Sequence, residues 1–189
     1  MKNENLKLRG TKLYLRYPKS EDFAELTALY KSSRNHFRGL VQPITKRETY
    51  DKLVEKANQE EMEFFFICRN EDDAIVGVIN LSQIFRLRFQ NAYLGYFLGE
   101  KFTGKGYMTE AVAVILSYAF KDLKLHRFEA NVQPNNTPSI NILKRAGFTK
   151  EGFSRKYLKI GGRWRDHERW AIIAEDWKIF KGKSKKAKV

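Results

Sequence analysis

The chain has 189 residues, 42% of them hydrophobic and 31% charged, enough to bury a sizeable core in one domain. No apolar run approaches the ~20 residues that cross a bilayer, the polar start Met1-Lys2-Asn3-Glu4-Asn5 lacks the apolar stretch of a secretory signal, and the one cysteine, Cys68, excludes an internal disulfide and fits a cytoplasmic protein. The formal charge of +14 favours polyanionic partners such as nucleotide phosphates, RNA or the ribosome surface.

Gly10-Thr11 precedes Lys12-Leu13-Tyr14-Leu15-Arg16, whose alternation predicts a strand. Ser20 is placed to cap a helix carrying Phe23, Leu26, Leu29 and Tyr30 on one face. Thr45 and Glu48 form a capping box for a second helix reaching about Asn58. Phe64 to Arg69 and Ile75 to Leu81 read as strands joined by the turn Asn70-Glu71-Asp72-Asp73, and Tyr93 to Leu98 as a further strand. The period becomes helical over Met108, Val112, Ile115, Leu116, Ala119 and Phe120. Arg127 to Val132 is strand-like. Thr137 caps a helix with Pro138 at its first position and Gly147 past its end. Tyr157 to Ile160 and Trp170 to Ala174 flank Gly161-Gly162 as a hairpin, one arm beginning near Phe153. Strands with interspersed helices imply a mixed sheet with helices on its faces. Five lysines and no acid between Lys181 and Lys188 make residues 181–189 a basic, disordered tail behind a single domain of residues 1–180.

The informative segment runs from Tyr93 to Ala111. A strand enters a Gly-containing turn, and the turn enters an amphipathic helix. The first four N–H groups of that helix have no intrahelical acceptor and lie at the positive end of its dipole, so they form an anion site. Glycines let phosphate oxygens approach the backbone. The spacing is neither that of a Walker loop nor G-x-G-x-x-G. No Cys/His cluster has metal-ligand spacing, so no metal is expected.

The run Lys101-Phe102-Thr103-Gly104-Lys105-Gly106 resembles the pyrophosphate loop of the GNAT superfamily, Q/R-x-x-G-x-G/A, with Lys at the first position. Asn136-Thr137-Pro138-Ser139 followed by Lys144-Arg145-Ala146-Gly147-Phe148 is similar to the family's N-x-x-S...k-x-G-F helix. Gly162-Arg163-Trp164-Arg165-Asp166-His167 looks like the RimJ/RimL branch, the ribosomal-protein N-terminal acetyltransferases. The resemblance covers about Leu8 to Trp177. It implies an α/β (α+β) GNAT fold, with a mixed, mostly antiparallel sheet of about seven strands and helices on both faces. It also implies acetyl-CoA as co-substrate. Backbone groups of Tyr96, Phe97 and Leu98 would pair with the pantetheine arm. Lys101, Thr103, Gly104, Lys105, Gly106 and Tyr107, with Met108 and Thr109 in the first helical turn, would hold the pyrophosphate. Asn136 and Ser139 would lie beside the thioester.

Amine attack on a thioester needs proximity, loss of the amine proton and stabilisation of the oxyanion. Many members of the superfamily use a tyrosine acid at the position that is Leu143 here, and the position of a glutamate base is Asn131. The resemblance leaves Ser139 to protonate the leaving sulfur and Asn131 to orient a relay water. Glu129, Asp166 and His167 are the candidates for the base. An α-amine titrates near 7.7–8.0 and a lysine near 10.4, a gap of roughly 3 kcal/mol in deprotonation work. A site without a strong acid and base therefore suits a protein N-terminus, such as a ribosomal one, better than lysine. A small amine or antibiotic is the alternative acceptor, and a non-catalytic acyl-CoA-binding module the alternative role. RNA or ribosome contact through the basic surface and tail, no membrane partner, and a monomer or homodimer complete the expectation.

Overall fold

The computed structural model describes residues 6–57 and 59–186, with backbone alone for 181–186. Eight strands make one sheet in the order β1-β2-β3-β4-β5-β6-β8-β7. The strands are β1 (Lys7–Arg9), β2 (Leu13–Arg16), β3 (Glu63–Arg69), β4 (Ile75–Phe85), β5 (Asn91–Leu98), β6 (Arg127–Val132), β7 (Thr149–Ile160) and β8 (Arg163–Ile173). The helices are α1 (Phe23–Ser32), α2 (Arg47–Ala57), α3 (Tyr107–Lys121), α4 (Thr137–Arg145) and α5 (Ala174–Lys186). All pairings are antiparallel except β5 with β6. The expected count of about seven strands becomes eight because β1, only three residues long, pairs with β2 across a turn closed by the Gly10 N–H donating to Leu13 O (2.8 Å).

Side chains alternate across each strand, and the register sorts them. Phe65, Ile79 and Tyr96 share one face, and Phe66, Val78 and Phe97 the other. On the first face Phe65 stacks on Tyr17 at 4.7 Å and meets Tyr118 of α3 edge-on at 6.0 Å. On the second, Phe97 packs on Tyr30 of α1 at 5.3 Å. Helices therefore cover both faces, and β3 is buried along six of its seven residues. Burial of each such side chain contributes about 1.5–3 kcal/mol.

Three expected caps move. Ser20 caps nothing, because its Oγ accepts from Arg47; the Asp22 carboxylate instead takes the Lys19 N–H (2.7 Å). The second helix starts at Arg47, one residue later than a cap at Thr45 requires. Its expected end near Asn58 falls on a residue outside those described. Asn136, not Thr137, caps α4, its Oδ1 accepting the Ser139 N–H at 3.3 Å. The hairpin arms are longer than expected, and Ala174 begins a helix rather than ending a strand. The tail expected from residue 181 starts inside α5, whose backbone is helical to Lys186; residues 187–189 lie outside those described. Among the described residues no helix is long and apolar enough to cross a membrane.

Candidate active site

The site lies where the two parallel strands part. β5 and β6 pair only from Asn91↔Arg127 to Tyr93↔Glu129. Beyond Tyr93, β5 keeps β4 as a partner through Leu98, so its other edge lacks a neighbouring strand. A cavity of about 750 Å³ opens there. Tyr96, Phe97, Leu98, Thr103, Gly104, Gly106, Tyr107, Met108, Thr109, Asn136 and Ser139 all line it.

One wall is the start of α3. Gly106 is the N-cap with φ +84°, and Gly104 has φ +73°. An L-residue pays about 1–2 kcal/mol in that region. A Cβ at either glycine would meet nothing within 4 Å, so backbone conformation rather than crowding requires glycine, and the loop is open to a ligand. The N–H groups of Tyr107, Met108 and Thr109 lie in the first turn, where a helix provides no acceptor. Glu110 would oppose an anion, but its carboxylate is held by the N–H groups of Thr11 and of Lys12 (2.9 Å). Lys12 Nζ in turn reaches Lys105 O at 3.5 Å, bringing a cation to the loop. This donor set fits a pyrophosphate. Lys101 and Lys105 are exposed and do not line the cavity; the Lys101 Nζ lies over the Phe102 ring at 4.8 Å.

The cavity wall also carries two hydroxyls. Tyr96 Oη lies 2.7 Å from Ser139 Oγ. Burial pushes the Tyr96 hydroxyl up to about 12, against a smaller lowering by Ser139. The sequence pointed to Tyr96 for its backbone only; the side chain is the residue it missed. Leu143, at the position of the superfamily's tyrosine, is fully buried in the core.

The remaining candidates do not line this cavity. Asn131 Oδ1 is buried and has no hydrogen-bond partner among the described residues. Glu129 accepts from Arg127 Nε (2.9 Å) and Asn91 Nδ2 (3.3 Å), and Arg127 also pairs with Glu151 (3.0 Å). These carboxylates raise the Arg127 guanidinium, and Arg127 holds Glu151 below the usual carboxylate range. Glu129 is thus held in an ion-pair cluster with Arg127 and Glu151. Asp166 accepts the Lys156 N–H at 2.7 Å and secures an irregular stretch of β7 where Lys156 has φ +47°. His167 is 2% exposed, with Nδ1 3.0 Å from Arg165 O; burial lowers its pKa below the ordinary value. Arg145, His36, Arg38 and Val41 line the cavity without having been foreseen. The segment after α1 that supplies three of them has no periodicity; it is anchored by Gln133 Nε2 donating to Gly39 O (2.7 Å). Among the described residues no group of His, Cys, Asp and Glu could hold a metal ion.

The family model described as an acetyltransferase (GNAT) domain matches residues 12–149. YjcK of Bacillus subtilis (strain 168), named a probable N-acetyltransferase, is 39% identical over 179 residues, 89% of this chain and 98% of that protein. The [ribosomal protein uS5]-alanine N-acetyltransferase of Escherichia coli (strain K12) is 38% identical over 126 residues, 66% of this chain and 65% of that protein. Among solved structures, Mycobacterium smegmatis RimJ in complex with CoA-disulfide superposes with a TM-score of 0.79 at 29% identity, over 86% of this chain and 82% of that one.

Proposed function

This chain belongs to the GNAT acetyltransferase family, and on that premise we propose that it transfers acetyl from acetyl-CoA to the N-terminal α-amine of a protein, a ribosomal one first among candidates. The observation that carries the reading is that a single cavity joins the amide-rich start of α3, the free edge of β5 and the Tyr96–Ser139 hydroxyl pair. Acetyl-CoA, when bound, supplies an acetyl thioester. The first-turn N–H groups of α3 and the open loop Gly104 to Gly106 hold its pyrophosphate. Backbone groups of Tyr96, Phe97 and Leu98 hold the pantetheine as an added strand. Ser139, hydrogen-bonded to Tyr96, keeps a proton at Oγ for the leaving sulfur.

The acceptor follows from what is missing. Glu129 is committed to Arg127, so an amine that is already partly neutral at physiological pH suits the site better than lysine. The Escherichia coli relative is named for acetylating an alanine of ribosomal protein uS5, which agrees with an α-amine. The net charge of +14 disfavours polyamines through long-range repulsion. Mass spectrometry of two peptides, one with a free N-terminal alanine and one blocked there but carrying lysine, tests the proposal. Acetylation of the first with release of CoA thiol is expected. Equal rates on the two, or no turnover despite CoA binding, would overturn it.

A further inference from the structure

The sheet face that carries Phe97 continues onto the ribbon formed by β7 and β8. Tyr93 alternates with Phe97 along β5 and pairs with Glu129 of β6. Glu129 in turn pairs with Ala171 of β8, and Asn131 with Arg169. Alternation along β8 then places His167, Arg165 and Arg163 on this same face. Trp164, Asp166 and Glu168 lie on the other, where Lys159 and Phe153 stand opposite Trp164 and Glu168. The hairpin thus sorts its arginines from its acids. Glu129, on the arginine face, is engaged by Arg127 (2.9 Å).

The segment between α1 and α2 lies over that face. Phe37 packs edge-on against Phe97 at 5.2 Å, and Gln133 Nε2 donates to Gly39 O (2.7 Å). Arg165 Nη2 lies 3.9 Å from the position that a Cβ on Gly39 would take. With Phe37 buried, His36 and Arg38 stay exposed on the cavity wall. Residues 33–44 contain no acid. Arg38, Arg163 and Arg165 form no ion pair among the described residues. The Arg165 Nε is buried and has no hydrogen-bond partner among them, and a buried donor left unmade is costly. These cations adjoin β6 and β8, whereas the donors for a pyrophosphate lie at the start of α3. A carboxylate offers a guanidinium two oxygens in its own plane. An extended chain beside β8 repeats its side chains with the two-residue period of Arg163 and Arg165, about 7 Å. A single-stranded nucleic acid would leave the exposed rings of Trp164 and Phe153 unused on the far face.

We propose that Arg38 and Arg165, with Arg163 beyond them, receive carboxylates of the acceptor chain, so that the enzyme selects N-termini followed within a few residues by Asp or Glu. The inference rests on the protein acceptor of the proposed function and names its class, an acidic N-terminal segment.

The test reads binding rather than turnover, so its failure is separate from a failure of acetyl transfer. Fluorescence anisotropy follows three labelled peptides on the full chain saturated with CoA, which keeps the cofactor's phosphates on their own donors. Each peptide begins with N-acetylalanine, and its next four residues are all glutamate, all glutamine or all lysine. The glutamate peptide should bind about tenfold tighter than the glutamine one, and the lysine peptide more weakly than both. Raising salt from about 50 to about 200 mM should narrow the gap. Arg38→Gln and Arg165→Gln should each reduce the glutamate preference, and the double variant should abolish it. Arg38→Glu, at an exposed position, should shift the preference toward lysine. Lys159→Gln, on the opposite face, should leave it unchanged, and calorimetry should show CoA affinity within about twofold throughout. Equal affinity for the three peptides, or binding of none, would overturn the proposal. So would a preference that survives the double variant, or one lost equally in Lys159→Gln. Loss of CoA affinity in step with the preference would reassign the arginines to the cofactor. Displacement of the glutamate peptide by an equal concentration of oligo(U) would reassign the face to nucleic acid.

Discussion

Tyr96 and Ser139 stand 43 residues apart in the chain, and their hydroxyl oxygens are 2.7 Å apart. Tyr96 belongs to β5 and Ser139 to the first turn of α4, whose cap Asn136 fixes the Ser139 N–H. The pair is therefore set by two rigid elements rather than by a loop. Either oxygen can be the donor, which lets a proton lost from Ser139 be replaced from Tyr96.

If the two hydroxyls act as one unit, their deletions will not add. Ser139→Ala should lower kcat by about 10²-fold, the lower end of a positioned proton donor's contribution. Tyr96→Phe should cost about tenfold, and the double variant little more than Ser139→Ala alone. CoA affinity should stay within about twofold in all three, because the pyrophosphate contacts are untouched. Steady-state kinetics with calorimetry checks this; multiplicative losses would show that the hydroxyls act independently.

The same pair shapes the pH profile. Burial holds the Tyr96 hydroxyl at about 12, so it stays protonated across the working range. The rate should rise with pH as the acceptor α-amine loses its proton near 7.7–8.0 and then level off. No descending limb should appear up to about pH 10. A fall in rate with a midpoint below pH 9, after correction for thioester hydrolysis, would assign proton donation to a more acidic group.

The readable parts of this chain were the local ones. The strand–turn–helix around Gly104 and Gly106 is encoded within twenty residues, and helical spacing from Met108 to Phe120 marks α3 directly. Arg127 to Val132 was legible to the residue. The missed parts depend on distant pairings. Nothing near Tyr96 indicates that Ser139 will reach it, and although Arg127 lies two residues from Glu129, nothing near that pair reveals that Glu151 will join it in an ion-pair cluster. Ser20 and Thr137 were plausible caps by residue type, but the Ser20 Oγ is taken by Arg47 from the second helix, and Asn136, one position before Thr137, presents the oxygen that accepts the Ser139 N–H. The acids of the hairpin have the same history: Asp166 looks like a candidate base in sequence and is a backbone clamp in the fold.

Gly106 separates backbone strain from ligand exclusion. With φ +84° and nothing within 4 Å of a Cβ, Gly106→Ala should cost about 1–2 kcal/mol of stability from the left-handed conformation alone. That is a fall of roughly 2–8 °C in Tm for a chain of this size. Gly106→Asp should suffer the strain to a lesser degree, since Asp tolerates the region better than Ala, yet it should lose CoA binding by placing a carboxylate at the helix start. Opposite rankings in calorimetric stability and CoA titration are therefore expected. Parallel rankings, or tight CoA binding by the aspartate variant, would move the pyrophosphate away from this turn.

His167 provides a pH switch of stability that can be separated from the carboxylates. Its ring is buried beside Tyr157 (centroids 6.1 Å apart), with Nδ1 against Arg165 O. Burial disfavours the charged imidazolium, so the folded pKa lies below the ordinary 6.5. In the unfolded chain the imidazole protonates as pH falls through about 6.5, while the folded chain resists. Unfolding then takes up a proton, and stability drops from about pH 7 downward until the folded pKa is passed. Glu151 and Glu168 act in the same direction but lower, since pairing with Arg127 and Lys150 depresses their folded values below 4.5. Their contribution is fully present above the unfolded value and is lost only as pH falls through the folded one. Melting temperatures at pH 7, 6 and 5 should therefore decline before the carboxylates titrate. In His167→Asn, which keeps a donor for Arg165 O, the decline should be absent over that window and normal below it. A wild-type melting temperature that stays flat from pH 7 to 5 would mean that His167 charges freely in the folded protein.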